Sequence, residues 1–186
     1  MIRLVGPGAA GKTSAGTLLA ERLGVSFLDL DRYLAGRGGD ISAYIDRHGY
    51  EGYARENVAT YCSIFHNQEN PGVVALSSGC MAYARDVHPK YLRVRTEIEQ
   101  SPTTFVLLPS LDREVCVAET VRRQAGRPFG RSPAREEVVI RARFAIYLAV
   151  TARKVQTMRP VGEVVDEIVA ALPPNNALEP SAPMRS

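Results

Sequence analysis

Lysine, cysteine and histidine are all scarce in this chain. Of 186 residues, three are Cys, three are His and three are Lys, against 20 Arg. Cys62, Cys80 and Cys116 are odd in number and share no Cys-x-x-Cys spacing, so they read as small buried hydrophobes suited to a reducing cytosol. His48, His66 and His88 lack metal-ligand spacing. No apolar run approaches the roughly 18 residues that span a bilayer. The N-terminal apolar stretch is short and ends in glycines, which is not a signal-peptide pattern. A cytoplasmic protein with no membrane partner is expected. The net charge of +3 and pI near 8.9 are too mild to argue for a nucleic-acid partner. A chain of this length fits one domain and can bury about 70% of its unfolded surface, so it needs no disulfide or metal staple. A monomer is expected.

What remains is arginine, the planar bidentate reader of carboxylates and phosphates, and one lysine at position 12. Around them the chain alternates strand and helix patterns. Ile2–Val5, Val25–Leu30, Val73–Leu76, Thr104–Leu108 and Lys154–Gln156 read as strands. Helices are expected over Thr13–Leu23, Asp40–Asn67 (broken at Gly49), Pro89–Gln100, Leu111–Gln124, Arg135–Ala152 and Val161–Leu172. Apolar strands separated by helices indicate an α/β fold, a parallel sheet covered on both faces. Residues 173–186 hold four of the 12 prolines and little periodicity, so a disordered tail is expected after a single domain over residues 1–172.

Residues 6–13, Gly-Pro-Gly-Ala-Ala-Gly-Lys-Thr, match G-x-x-x-x-G-K-[ST] between a strand and a helix. Gly6, Gly8 and Gly11 let the backbone wrap closely around phosphate oxygens. The N–H groups of the loop, through Ala9, Ala10 and Ser14, and the helix N-terminus bind anionic charge. In such a loop Lys12 reaches the β- and γ-phosphates of ATP, and the Thr13 hydroxyl ligates Mg²⁺. The alternative is a glycine-rich turn with a solvated lysine.

A phosphate loop implies a nucleotide phosphate but not the reaction. The next acidic element is Phe27-Leu28-Asp29-Leu30-Asp31. In an extended segment residues two apart share a face, so Asp29 and Asp31 are expected to close the second strand side by side. One would hold Mg²⁺ through water, and the other would accept a hydrogen bond or a proton from a substrate hydroxyl. The bland alternative is a surface pair beside Arg32. Seven arginines fall between residues 122 and 143. Within that stretch residues 125–134 carry Gly126, Pro128, Gly130 and Pro133, the composition of a mobile loop that could close over phosphates. Most of these arginines read as a solvated helix face paired with Glu136 and Glu137. Arg127, inside the loop, is the exception.

Together these segments resemble the shikimate kinase family along residues 1–172. GPGAAGKTS resembles its phosphate loop and FLDLD its F-x-D-x-D element. That resemblance implies Asp29 on the Mg²⁺ side and Asp31 against the substrate hydroxyl. VRRQAGRP, residues 121–128, resembles the segment carrying an adenine-contacting arginine (Arg123) and a lid arginine (Arg127). RFAIY resembles the R-x-x-x-Y helix whose arginine, here Arg143, grips a substrate carboxylate. VQTMRPVGEVVDEI implies Arg159 near the base. The implied fold is a three-layer P-loop kinase fold. It has a five-stranded parallel sheet of order 2-3-1-4-5, a lid near 125–134 and a substrate-binding helical subdomain near 32–67.

Two departures fall on the acceptor side. Ser77-Ser78-Gly79 stands where the family has three glycines, and the two added side chains would crowd or newly hydrogen-bond the pocket. The family's G-E-x-x-F-R element is also displaced. Counted from Glu51, Arg55 takes the arginine place. Counted from Gly49, Tyr53 is the aromatic and Ala54 replaces the arginine. Arg55 then serves as an i,i+4 partner of Glu51. The expectation is an ATP:alcohol phosphotransferase with Lys12, Asp31 and Arg127 at the chemistry, and shikimate as the first acceptor to consider. The small hydroxylated acceptor would lie against Asp31, Tyr53, Arg55, Ser77, Ser78, Gly79 and Arg143. Alternatives are a same-fold kinase for another polyol or specialised metabolite, a nucleoside monophosphate kinase, and a non-catalytic ATP-binding module.

Overall fold

A computed structural model describes residues 1–66, 71–124 and 133–174. In chain order the elements are β1 (Ile2–Val5), α1 (Lys12–Leu23), β2 (Phe27–Asp29), α2 (Leu30–Gly38), α3 (Ile41–His66) and β3 (Val73–Ala75). They continue with α4 (Tyr91–Gln100), β4 (Thr104–Leu108), α5 (Arg113–Gln124), α6 (Pro133–Ala149), β5 (Arg153–Gln156) and α7 (Val161–Ala170). The strands form one five-stranded sheet in the order β2-β3-β1-β4-β5, and every pairing is parallel. This is the order the sequence implied. Among the described residues no helix is long and apolar enough to cross a membrane.

The period-2 alternation of the strands divides the core in two. Ile2 and Leu4 of β1 and Phe105 and Leu107 of β4 pack with Leu19 of α1 and Val165 and Ile168 of α7 on one face. Val5, Val106 and Leu108 point the other way, against Val58 and Tyr61 of α3, Tyr91 of α4 and Phe144 and Tyr147 of α6. Arg3 interrupts that second face from the central strand. It is buried, and it donates to the Tyr61 hydroxyl (2.8 Å), Ser101 (3.1 Å) and Glu97 (2.9 Å), so its charge enters the core with partners.

The sheet demands a close approach at Gly72. Its carbonyl accepts from the Ile2 N–H at 2.8 Å, and a Cβ there would stand 2.4 Å from the Cβ of Val25. Gly72→Ala therefore forces β3 away from the α1–β2 connection. The expected loss is about 1–3 kcal/mol, a fall of roughly 2–12 °C in melting temperature for a chain this size. A melting temperature unchanged by the substitution would refute the close approach.

One detail agrees with the sequence expectation and one differs from it. The break at Gly49 is present, with φ 73° and ψ 166° inside α3. However, Asp29 and Asp31 do not share an extended segment. β2 ends at Asp29 and α2 begins at Leu30, so Asp31 lies in a first helical turn. The cause is Asp29 itself. Its Oδ1 accepts from the backbone N–H of Asp31 (3.1 Å) and Arg32 (3.2 Å), the geometry of an N-cap that turns the chain into a helix. The loop expected over 125–134 lies largely outside the described residues, although Pro133 already belongs to α6. Residues 175–186 of the expected tail also lie outside them.

Candidate active site

The glycine-rich loop leaves β1 at Gly6, whose φ is 150° and where a Cβ would stand 2.3 Å from the Leu107 carbonyl oxygen. Only glycine permits that passage beside β4. The loop closes at Gly11, the left-handed N-cap of α1, with Ala9 also in the left-handed region at φ 58°. Gly8 lies under the side chain of Gln124, and Ala9 and Ala10 are buried. Lys12 opens the helix and folds back across the loop, its Nζ donating to the carbonyls of Gly6 (2.8 Å) and Pro7 (2.9 Å). Ser14 is exposed in the first turn. An ammonium group, a helix N-terminus and a tightly curved backbone thus share one concavity, the physical requirement for binding polyphosphate.

Arg123 fastens this loop to the far edge of the sheet. Its guanidinium pairs with Glu119 at 2.6 Å and donates to the Ala9 carbonyl (3.3 Å) and to the Thr157 hydroxyl (3.3 Å) and carbonyl (2.9 Å). Arg122 holds the same carboxylate, and with Arg123 it lowers the Glu119 pKa to about 2. Arg159, two residues past Thr157, is exposed. It donates to the Gln156 carbonyl and pairs with Glu167.

The acidic pair is linked rather than parallel. The Thr13 hydroxyl donates to Asp29 Oδ2 at 2.6 Å, while Asp29 Oδ1 caps α2. Asp29 therefore ties the phosphate loop to the turn that carries Asp31. Asp31 Oδ1 in turn accepts from the Tyr53 hydroxyl at 2.6 Å and from the Ser77 hydroxyl. The Asn57 amide donates to Ser77 from one turn further along α3. Burial raises the Tyr53 pKa well above that of a free phenol, and the neighbouring Asp31 charge adds to this, so Tyr53 is a neutral donor.

Beyond this cluster, Arg143 of α6 donates to the Ser78 hydroxyl (3.1 Å) and the Tyr50 hydroxyl (2.8 Å), with its guanidinium 5.9 Å from the Tyr50 ring centroid. Tyr147, one turn on, donates to the Ser78 carbonyl at 3.0 Å. Gly79 lies where these groups meet. A Cβ there would stand 2.1 Å from the Tyr50 hydroxyl oxygen, 2.7 Å from Cε1 of Tyr83 and 3.4 Å from Nη2 of Arg143. The structure thus gathers Asp31, Tyr53, Ser77, Ser78, Gly79 and Arg143 at one place, linked through Asp29 and Thr13 to the phosphate loop.

Arg55 is placed elsewhere. Its Nη2 pairs with Glu51 at 2.6 Å and its Nε donates to the Val87 carbonyl at 3.0 Å. Tyr53 and Asn57 occupy the inward face of α3, Ala54 is buried, and Arg55 is exposed. This placement fits the count from Gly49, in which Ala54 stands where the resembled family has its arginine. Arg127 lies outside the described residues. Sequence reasoning missed Tyr50, Asn57 and Tyr83. Asn57 was discoverable from its i+4 relation to Tyr53, whereas Tyr83 sits in an irregular segment with no periodicity to betray it.

Comparison with known proteins gives one consistent answer. A family model described as shikimate kinase matches residues 8–173. The shikimate kinase of Thermobifida fusca is 31% identical over 176 residues, covering 90% of this chain and 91% of that protein. Shikimate kinase 2 of Salmonella paratyphi C is 28% identical over 176 residues, covering 92% and 91%. Among solved structures, a shikimate kinase from Acinetobacter baumannii in complex with shikimate superposes with a TM-score of 0.68 at 22% identity, covering 90% of this chain and 89% of that one. The shikimate kinase of Aquifex aeolicus gives 0.62 at 24%, covering 91% and 94%. Likeness at those identities is a likeness of fold.

Proposed function

This chain belongs to the shikimate kinase family and is an ATP-dependent phosphotransferase with an alcohol acceptor; from that premise we propose that it phosphorylates shikimate, with Asp31 addressing the acceptor hydroxyl. The observation that supports this reading is the junction of two half-sites. Asp29 holds Thr13 of the phosphate loop through one carboxylate oxygen and caps the turn bearing Asp31 through the other. A group bound at Asp31 is thereby fixed relative to a group bound in the loop.

In this mechanism the loop amides and Lys12 hold the phosphate oxygens of ATP, and Arg123 and Arg159 flank the base. Thr13 and Asp29 present hard oxygen donors at the edge of the loop, a set that fits Mg²⁺, which takes few protein ligands and keeps phosphates and waters for the rest. Held there, Mg²⁺ would supply positive charge against the phosphates. Asp31 accepts the hydrogen bond of the acceptor hydroxyl, orients its oxygen toward the loop and takes its proton as the phosphoryl group transfers. Tyr53 and Ser77 hold the Asp31 carboxylate in place meanwhile. Arg143 takes the acceptor carboxylate, with Ser78 beside it. Lys12 and Arg127 offset charge on the transferring group, so catalysis consists of positioning and electrostatics. All of these residues belong to a single kinase domain over residues 1–172.

One observation favours a second reading. Arg55 is turned toward Glu51 and Val87, so Arg143 is the cation found at the acceptor side of the cluster. A cyclic polyol or hydroxy acid other than shikimate fits that arrangement too. Purified protein with Mg-ATP and a panel of hydroxylated acids and cyclic polyols, read by coupled ADP release, decides. Release that depends on shikimate is expected. Release with another compound and none with shikimate moves the acceptor. ATP binding with no release across the panel leaves a non-catalytic module.

A further inference from the structure

Within the acceptor side, one buried polar group is unaccounted for. The Tyr83 hydroxyl is excluded from solvent and has no hydrogen-bond partner among the described residues, while the residue as a whole is 6% exposed. Buried polar groups are almost always paired, and an exception calls for a reason. Its ring position is no accident of loose packing. The Tyr83 backbone N–H donates to the Tyr91 hydroxyl at 3.1 Å, which in turn donates to the Cys80 carbonyl at 3.0 Å. The ring is also held between two others, with centroids 5.7 Å from Tyr91 and 6.1 Å from Tyr50. The Cε1 edge, next to the hydroxyl, faces Gly79 at the point where the Tyr50 hydroxyl and the Arg143 guanidinium also converge.

Resting on the acceptor reading above, we propose that Tyr83 is an acceptor-binding residue whose buried hydroxyl pairs with a hydroxyl of the bound acceptor, while Arg143 takes the anionic end. The neighbours select a hydroxyl over a carboxylate. Burial raises the Tyr83 pKa well above the usual phenol value and the Asp31 charge adds to this, so the group is a neutral donor. A second anion beside Asp31 is disfavoured there, whereas a neutral hydroxyl can both give and accept. The rings of Tyr50, Tyr53 and Tyr83 form an apolar wall suited to the face of a carbocycle.

The test is Tyr83→Phe, which removes the oxygen and keeps the ring. Because that oxygen bonds to nothing among the described residues, the melting temperature of the ligand-free variant should equal or exceed that of the wild type. Tyr91→Phe, which removes a hydroxyl with two protein partners, should lower it. With shikimate as probe, Tyr83→Phe should raise the acceptor KM about tenfold and leave the KM for ATP within about twofold. An unchanged acceptor KM overturns the assignment. So does a loss of stability equal to that of Tyr91→Phe, since it would reveal a protein partner. A wild type that ignores shikimate but phosphorylates another panel member overturns only the shikimate reading, and the same KM comparison on that compound then decides Tyr83. A wild type that phosphorylates nothing overturns both.

Discussion

Lys12→Ala is expected to abolish phosphoryl transfer to within background while the protein remains folded. The Lys12 ammonium lies across the mouth of the loop, held by the Gly6 and Pro7 carbonyls. Removing a preorganised charge aimed at a developing negative charge costs about 10²–10³ in turnover, and losing a lysine that also anchors the phosphates adds to that. The loop keeps its shape in the variant because Gly6 is fixed against Leu107 and Ala9 against Arg123, neither through Lys12. Coupled ADP release and the melting temperature measure the two halves of this statement. Turnover within tenfold of wild type would remove Lys12 from the mechanism.

Asp31→Asn separates chemistry from nucleotide binding. The amide is isosteric with the carboxylate and still offers one oxygen to the Tyr53 and Ser77 hydroxyls, so α2 and α3 stay docked. It cannot take a proton, and its polarised grip on an acceptor hydroxyl is weaker. Turnover should fall about 10²–10⁴-fold, the range for loss of a positioned general base. The KM for ATP should change little. Asp29, the residue that touches the loop, keeps its cap because it accepts from the backbone N–H of residue 31 and not from its side chain. A turnover unchanged in Asp31→Asn would leave that carboxylate a packing group. A parallel rise in the ATP KM would place it on the nucleotide instead.

The contrast between Asp29 and Asp31 shows where local pattern stops being informative. Read as an extended strand, the pair shares a face. In the structure one caps a helix and the other lies in its first turn. They remain coupled through a backbone hydrogen bond, which no alternation rule describes. The phosphate loop behaves differently. Gly6, Gly11, Lys12 and Thr13 fall within eight residues, and the positive φ of Gly6 and Gly11 is one that glycine permits, so the motif is nearly the structure. The arginine stretch falls between these cases. Its pairing by i,i+3 and i,i+4 contacts, as in Arg122 and Arg123 with Glu119, is legible from spacing. The reach of Arg123 to Ala9 and Thr157, 114 and 34 residues distant, is not.

By itself, then, the sequence determined the parallel sheet, its strand order through a family resemblance, the phosphate loop and the break at Gly49. Apart from the strand order, which only the resemblance implied, each of these is governed by short-range periodicity or by a glycine whose backbone conformation is locally imposed. Only the tertiary structure decided which side chains of α3 face Asp31. One residue around a helix is about 100°, and the packing of α3 against α2 and α4 turns Tyr53 and Asn57 inward and Arg55 outward. It likewise brought Tyr50, Tyr83 and Arg143 together at Gly79 from three separate segments. Such convergence is set by how helices settle on a sheet, and no stretch of the chain carries it alone.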